Sequence, residues 1–214
     1  MTRDLPFFVT LRSPYSYLAT DRVIGLAKKH SLDLVLKPVY PLAIREPQFF
    51  SKGNPALLNY LRTDAERTAA MLGIPFDWPA PDPIVQNLET GEIAQDQPYI
   101  RQLTRLLAAA CRAGLGVQVY QAVGALLFGQ NGSWTRSGAL EAAVKSAGGD
   151  WFSLNQHAKV HSDRFDELLA RNAQELKCAG HWGTPTLLFE NEVFFGQDRL
   201  EMCDWYISKS SSEI

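Results

Sequence analysis

Residues 6–11 (PFFVTL) form an apolar run rich in aromatic and β-branched side chains, the pattern of a buried strand. Arg12 and Ser13 end the run. Ser13-Pro14 predicts a helix start, because serine is a preferred N-cap and proline is tolerated at the first helical position. The helix is expected to reach about residue 30, with Tyr17, Ile24 and Ala27 sharing one face. Residues 33–39 (DLVLKPV) predict a second strand, with Pro38 marking its end or an edge position. Strand, helix and strand together give a βαβ unit, whose crossover is expected to be right-handed.

Residues 41–54 read as loop, punctuated by Pro41, Pro47 and Gly53-Asn54-Pro55. Helical patterning occupies 55–72 and closes at Gly73, a natural C-cap. The proline-dense stretch 75–83 is an irregular connection. Further helices are expected over 98–113, 117–128, 137–147 and 151–158. A long one is expected over 163–177, where Phe165, Leu168, Leu169, Asn172 and Leu176 repeat at helical spacing and Ser162 or Asp163 can cap. After Gly183 the character changes. Residues 184–190 predict a strand with Pro185 near its start, Asn191-Glu192 a tight turn, 193–195 the return strand, and 196–200 the lead into a last helix to about 208. No internal repeat or low-complexity segment is evident.

A βαβ opening and a ββα close, with a long helical stretch between, predict an α/β chain of thioredoxin-like fold with a large all-helical insertion, the DsbA-like arrangement. The expected division is a thioredoxin-like domain in two segments, 1–45 and 180–214, around an inserted helical domain, 46–179. In that fold the peptide before the proline opening the third strand is cis, which places the expected cis bond at Thr184-Pro185.

Composition narrows the function classes. The chain has 214 residues, 46% of them hydrophobic and 21% charged, ordinary for a globular protein with a sizeable core. With 21 Lys+Arg against 23 Asp+Glu, no broad basic surface is implied, so nucleic acid is not expected as a partner. No apolar run approaches the roughly 18 residues of a membrane span. The start of the chain lacks signal-peptide features and the end matches no targeting tag, so no membrane partner and a cytoplasmic location are expected. Cys111, Cys178 and Cys203 are odd in number and form no C-x-x-C pair, which predicts reduced, mostly buried thiols packing as small hydrophobes. The four histidines show no zinc-type spacing with them, and no metal is expected. His181, close to the third-strand proline, is read as structural, and Trp182 as a pocket wall or packing residue.

The segment Ser13-Pro14-Tyr15-Ser16-Tyr17-Leu18-Ala19 stands where a thioredoxin-like oxidoreductase carries C-x-x-C, with serine at both cysteine positions. Together with Gly183-Thr184-Pro185-Thr186, Phe195-Gly196-Gln197-Asp198-Arg199-Leu200 and the looser block of Tyr60-Leu61, Asp64, Arg67 and Leu72-Gly73-Ile74-Pro75, it resembles the 2-hydroxychromene-2-carboxylate isomerases and kappa-class glutathione transferases. That resemblance implies glutathione as cofactor, a small-molecule substrate and a homodimer. It makes Ser13 the catalytic residue, holding the glutathione sulfur. It gives the cysteinyl part to the Thr184 backbone beside Pro185, and the γ-glutamyl end to Gln197 and Asp198. Asn54 falls near both glutathione and substrate, and Arg45 near the substrate. The family pattern is departed from at Leu57, where a lysine is common; at Arg45, the counterpart of a substrate-binding lysine; and near Asp82, where a tyrosine faces the substrate.

The implied role of Ser13 has a physical basis. The first turn of a helix presents free N–H groups and a partial positive charge, which stabilise an anion, and a serine hydroxyl can donate to a thiolate without forming a disulfide with it. The activity implied is glutathione-dependent isomerisation of an unsaturated aromatic carboxylic acid by reversible thiolate addition. A kappa-class-like glutathione transferase and a glutathione-binding protein without turnover are the alternatives.

Overall fold

The computed structural model describes residues 3–51, 55–87, 92–129 and 134–212. A four-stranded mixed sheet has the order β2-β1-β3-β4. Strand β1 (Asp4–Val9) runs parallel to β2 (Asp33–Pro38) and antiparallel to β3 (Thr186–Phe189), which pairs in turn with β4 (Glu192–Phe195). As the central strand β1 is covered on both faces, which is why its sequence shows no polar alternation. Leu5, Phe7 and Val9 enter the main core, whereas Phe8 points the other way, into a cluster with Val39 and Leu176. The strand begins two residues earlier than the sequence suggests and ends at Val9. Thr10 belongs to a turn, its carbonyl accepting from Ser13 N at 3.3 Å.

Helix α1 (Pro14–Lys29) starts at the expected cap but buries a different stripe. Leu18, Ala19, Val23, Leu26 and Ala27 enter the core, while Tyr17 and Ile24 lie on its flank and are half-buried. Tyr17 faces the helices instead: its ring stacks on Phe128 at 5.4 Å and its hydroxyl donates to Pro75 O at 2.9 Å.

The segment expected as loop after β2 holds two short helices, α2 (Leu42–Arg45) and α3 (Gln48–Ser51). Five longer helices follow before β3: α4 (Pro55–Leu72), α5 (Pro98–Arg112), α6 (Gly116–Phe128), α8 (Trp151–Val160) and α9 (Ser162–Cys178), with the shorter α7 (Ala139–Ser146) between α6 and α8. Leu103, Leu106 and Leu107 of α5 and Val119, Val123 and Leu127 of α6 share one cluster with the sheet and α1. On α9 the buried residues are Phe165, Leu169, Asn172 and Leu176, with Leu168 only partly covered. Neither Ser162 nor Asp163 caps this helix, because it begins at Ser162 and His161 occupies the cap position without a side-chain bond. Buried Asn172 donates to Pro38 O at 2.8 Å, satisfying a carbonyl at the end of edge strand β2.

The hairpin turn sits one residue earlier than expected. Glu190 (φ 50°) and Asn191 (φ 70°) both take the left-handed conformation, the geometry of a two-residue hairpin loop, and Glu192 already belongs to β4. A single 3-10 turn (Gln197–Arg199) leads into the last helix, α10 (Leu200–Ser212). Of the thiols, Cys203 is buried and Cys111 partly so, and burial pushes both up to about 12. Cys178 departs from expectation: it is exposed at the end of α9, on the helix face turned to solvent. Among the described residues no helix is long and apolar enough to cross a membrane, and no group of three His, Cys, Asp or Glu side chains could hold a metal ion.

One ionic cluster joins the helices to the loop after β2. Asp166 of α9 accepts from Tyr40 Oη at 2.6 Å and from Arg105 of α5 at both oxygens, at 2.7 and 2.5 Å. Burial alone would raise the Asp166 carboxyl, but these bonds outweigh it and hold the group below its ordinary value. A carboxyl depressed in the folded state stabilises the fold above its unfolded pKa of about 4 and loses that contribution as pH falls. Asp166→Asn is therefore expected to destabilise the protein by about 1–2 kcal/mol near neutrality, the partial exposure of the pair reducing the value for a charged hydrogen bond. Thermal unfolding of both proteins as a function of pH measures this: the gap between them should shrink as pH drops below the carboxylate range.

Candidate functional site

Ser13 takes an extended conformation (φ −88°, ψ 115°), and its Oγ accepts from Ser16 N at 3.2 Å, the bond of a helix N-cap. The same hydroxyl reaches across the fold and donates to Thr184 O at 3.4 Å. That bond is long and therefore weak, so the hydroxyl proton can turn to a better acceptor at little cost. Within the first turn, Pro14 has no N–H and the N–H of Ser16 is taken by the cap. The N–H of Tyr15 has no partner among the described residues, and neither does that of Thr184. A helix N-terminus, a hydroxyl and two uncommitted N–H groups thus meet at one place, an arrangement suited to an anion.

The peptide Thr184-Pro185 is cis, as the sequence pattern predicts. Pro185 O accepts from Gly196 N at 2.9 Å, which fastens the end of β4 to the same turn. Gly196 adopts φ 102°, and a Cβ there would collide with Asp198 Oδ1, so only glycine fits. Gln197 follows, its Oε1 accepting from Arg22 Nη2 of α1. Asp198 is exposed and pairs with its neighbour Arg199 at 3.1 Å. Ser13, Thr184, Pro185 and Gln197 therefore belong to one hydrogen-bonded group drawn from both ends of the chain, with Asp198 at its edge.

Upstream of the cis peptide lies an aromatic wall. The His181 ring stacks on Phe195 at 4.0 Å and on Trp182 at 5.1 Å, and Trp182 meets Phe49 at 4.8 Å. Phe49, Trp182 and Phe195 remain 37%, 42% and 40% exposed, so the wall faces solvent. Gly183 allows the close stacking, since a Cβ there would lie 2.5 Å from the Phe195 ring. His181 Nδ1 accepts from Gly183 N at 2.9 Å, which leaves the proton of the neutral ring on Nε2. Burial lowers the His181 pKa, favouring that neutral form.

Arg45 straps the loop after β2 to this wall: Nε donates to Tyr40 O at 2.7 Å and Nη2 to Trp182 O at 2.8 Å. Burial lowers its pKa. It borders a cavity of about 550 Å³ lined also by Tyr40, Ile44, Arg101, Asp166 and Trp182. Ser13 and Thr184 do not line that cavity; His181 and Trp182, shortly before Thr184 in the chain, do. Asn54 lies outside the described residues, as does the side chain of Leu57.

Three contacts had no sequence signal. Arg12, immediately before Ser13, makes a two-pronged ion pair with Asp82, with Nε to Oδ1 at 2.6 Å and Nη2 to Oδ2 at 2.5 Å. Asp82 also accepts from Ile84 N at 2.9 Å, so it closes its own loop and neutralises the charge next to the cap. Tyr15 donates to Asp64 of α4 at 2.6 Å, and burial together with that carboxylate pushes the phenol above its ordinary range. Arg22 is half-buried beside Gln197 without a carboxylate at ion-pair distance among the described residues. Each joins residues from distant elements; Tyr15, Asp64 and Gln197 fall inside quoted motifs, but no motif shows the pairing.

The fold has well-matched solved counterparts. A 2-hydroxychromene-2-carboxylate isomerase superposes with TM-score 0.69 at 22% identity, covering 98% of this chain and 97% of that one. A probable DsbA oxidoreductase from Streptomyces coelicolor gives TM-score 0.71 at 13% identity, covering 99% and 91%. The cytosolic disulfide reductase DsbM from Pseudomonas aeruginosa, in its structure with GSH, gives 0.60 at 14% identity, covering 98% of each chain. At these identities the likeness is one of fold. Curated protein sequences give no match. The pattern of one family extends over residues 4–208, and on that match the chain belongs to the DSBA-like thioredoxin domain family.

Proposed function

We propose that the protein is a glutathione-dependent isomerase of an unsaturated aromatic carboxylic acid, similar to the 2-hydroxychromene-2-carboxylate isomerases. The observation that carries this reading is a serine hydroxyl at the N-terminus of α1, 3.4 Å from Thr184 O and beside two N–H groups without partners among the described residues. The site suits the cofactor chemically: it offers donors and a positive helix end where a thiolate would rest, and an exposed carboxylate at Asp198 where an ammonium group would. A relative of the same fold, DsbM, has been determined with GSH, which adds modest support.

Glutathione, when bound, supplies a thiol whose reversible addition to a conjugated carbon turns a double bond into a rotatable single bond, so that the cofactor returns unchanged. The chain's own residues hold and orient. Ser13 turns its hydroxyl proton from Thr184 O toward the sulfur and, with the Tyr15 N–H and the helix end, favours the anionic form. The Thr184 backbone holds the cysteinyl unit in extended pairing. Gln197 and Asp198 take the γ-glutamyl end. The aromatic wall of Trp182, Phe195 and Phe49 offers a flat apolar surface for an aromatic acid, and Arg45 a positive charge for its carboxylate, with Asn54 as a further contact.

Disulfide exchange, the chemistry named for two of the fold relatives, requires an attacking thiolate. Both positions of this chain's S-P-Y-S motif carry hydroxyls. Glutathione transfer would use the same holding groups but consume the thiol.

Ser13→Ala is expected to lower kcat/KM on 2-hydroxychromene-2-carboxylate by roughly 100-fold, the loss typical for a donor to a developing anion. The lost cap should cost only about 1 kcal/mol of stability. Ultraviolet assay and thermal unfolding read the two effects separately, and wild-type turnover in the variant would overturn the role of Ser13. In the same assay glutathione should be required yet recovered in full by thiol titration. Its stoichiometric disappearance would favour the transferase instead.

A further inference from the structure

We propose that Arg22 is a positioning residue for an α-amino-carboxylate group, fixing the Gln197 amide so that Gln197 and Asp198 together receive such a group; the inference rests on the glutathione reading above. Arg22 lies two turns beyond Tyr15 on α1 and is half-buried. Its Nη2 donates to Gln197 Oε1. Its Nε is enclosed by protein with no acceptor among the described residues. Asp198 and Glu201 lie within electrostatic reach but not at ion-pair distance. A guanidinium taken partly out of water without a paired carboxylate is unfavourable, and it is stabilised by any anion that docks beside it.

The bond to Oε1 has a directional consequence. A side-chain amide whose carbonyl is occupied by a guanidinium presents its NH2 on the opposite side. Gln197 is half-buried and directly precedes the exposed Asp198 in the 3-10 turn, so an NH2 offered there would share that turn with a carboxylate. A donor and an anionic acceptor on adjacent residues, backed by a fixed positive charge, match a carboxylate and an ammonium attached to one carbon. Without Arg22 the amide could rotate and offer its oxygen instead, which would repel a carboxylate.

The spacing agrees. Asp198 lies within electrostatic reach of both Tyr15 and Arg22. Tyr15 is two residues from Ser13, so Asp198 is near the helix end at which the ligand's sulfur would rest.

Calorimetric titration of the full chain with glutathione, and with 4-aminobutyryl-cysteinylglycine, which differs only by lacking the α-carboxylate, tests the role without measuring turnover. The wild-type protein should prefer glutathione by roughly 10- to 100-fold, the range of a charge-assisted hydrogen bond. Arg22→Met should abolish the preference while leaving affinity for the analogue unchanged, and Arg22→Lys should restore it in part. Gln197→Glu, which gives Arg22 a carboxylate of its own and disturbs the helix less, should abolish the preference as well. An intact preference in Arg22→Met, or an equal loss for both ligands in a folded variant, would overturn the role of Arg22 alone. Failure of the wild-type protein to bind either ligand would overturn the glutathione reading with it.

Discussion

The start of α1 meets the turn at Thr184-Pro185 at one hydroxyl, and the remainder of the site is arranged around that contact. Ser13 caps its own helix through Ser16 N and touches Thr184 O, while Pro185 O is tied from the other side by Gly196 N. The cis peptide is thereby fixed between a helix end and an edge strand. Both flanking segments come from the sheet-bearing ends of the chain, yet they are separated by 171 residues in sequence. The consequence is electrostatic: the positive end of a sixteen-residue helix opens beside the backbone of Thr184.

Neighbouring groups keep that spot a site for one anion and prevent it from becoming a general basic patch. Arg12 is neutralised by Asp82, while Arg45, fixed by the backbone carbonyls of Tyr40 and Trp182, keeps its charge at the neighbouring cavity. Tyr15 donates its hydroxyl to Asp64, and burial with that carboxylate keeps the phenol protonated. What remains uncommitted is a hydroxyl, two backbone N–H groups and, further along α1, the half-buried Arg22. The helices between β2 and β3 supply the other wall: Asp166 and Arg105 anchor Tyr40, which leads into the segment carrying Arg45 and Phe49.

Much of this was legible in the sequence because local chemistry dictates it. Ser13-Pro14 can only begin a helix well, and Pro185 at the entry to β3 announces the cis peptide that the structure contains. The strand order follows from the βαβ and ββα halves. The unread parts are those in which tertiary contact overrides local preference. Tyr17 looked like a core residue of α1, but its ring finds Phe128 and its hydroxyl Pro75 O, so the buried stripe lies one position round the helix. The prolines after β2 suggested loop, yet single helical turns fit between them. Asp82 marked a departure from the family pattern, and its pairing with Arg12 depends on a fold that brings together residues 70 apart. Arg22 gave no signal either, because its partner Gln197 is 175 residues away.

The central claim is that the N-terminus of α1, through Ser13, stabilises a sulfur anion. The most direct measurement is a pH titration of the ultraviolet thiolate absorbance of glutathione bound to the protein. The account predicts that the bound thiol ionises clearly below its solution range, near pH 8.5, and that Ser13→Ala returns it toward that range. A bound thiol that titrates as it does in free solution, with or without Ser13, would contradict it.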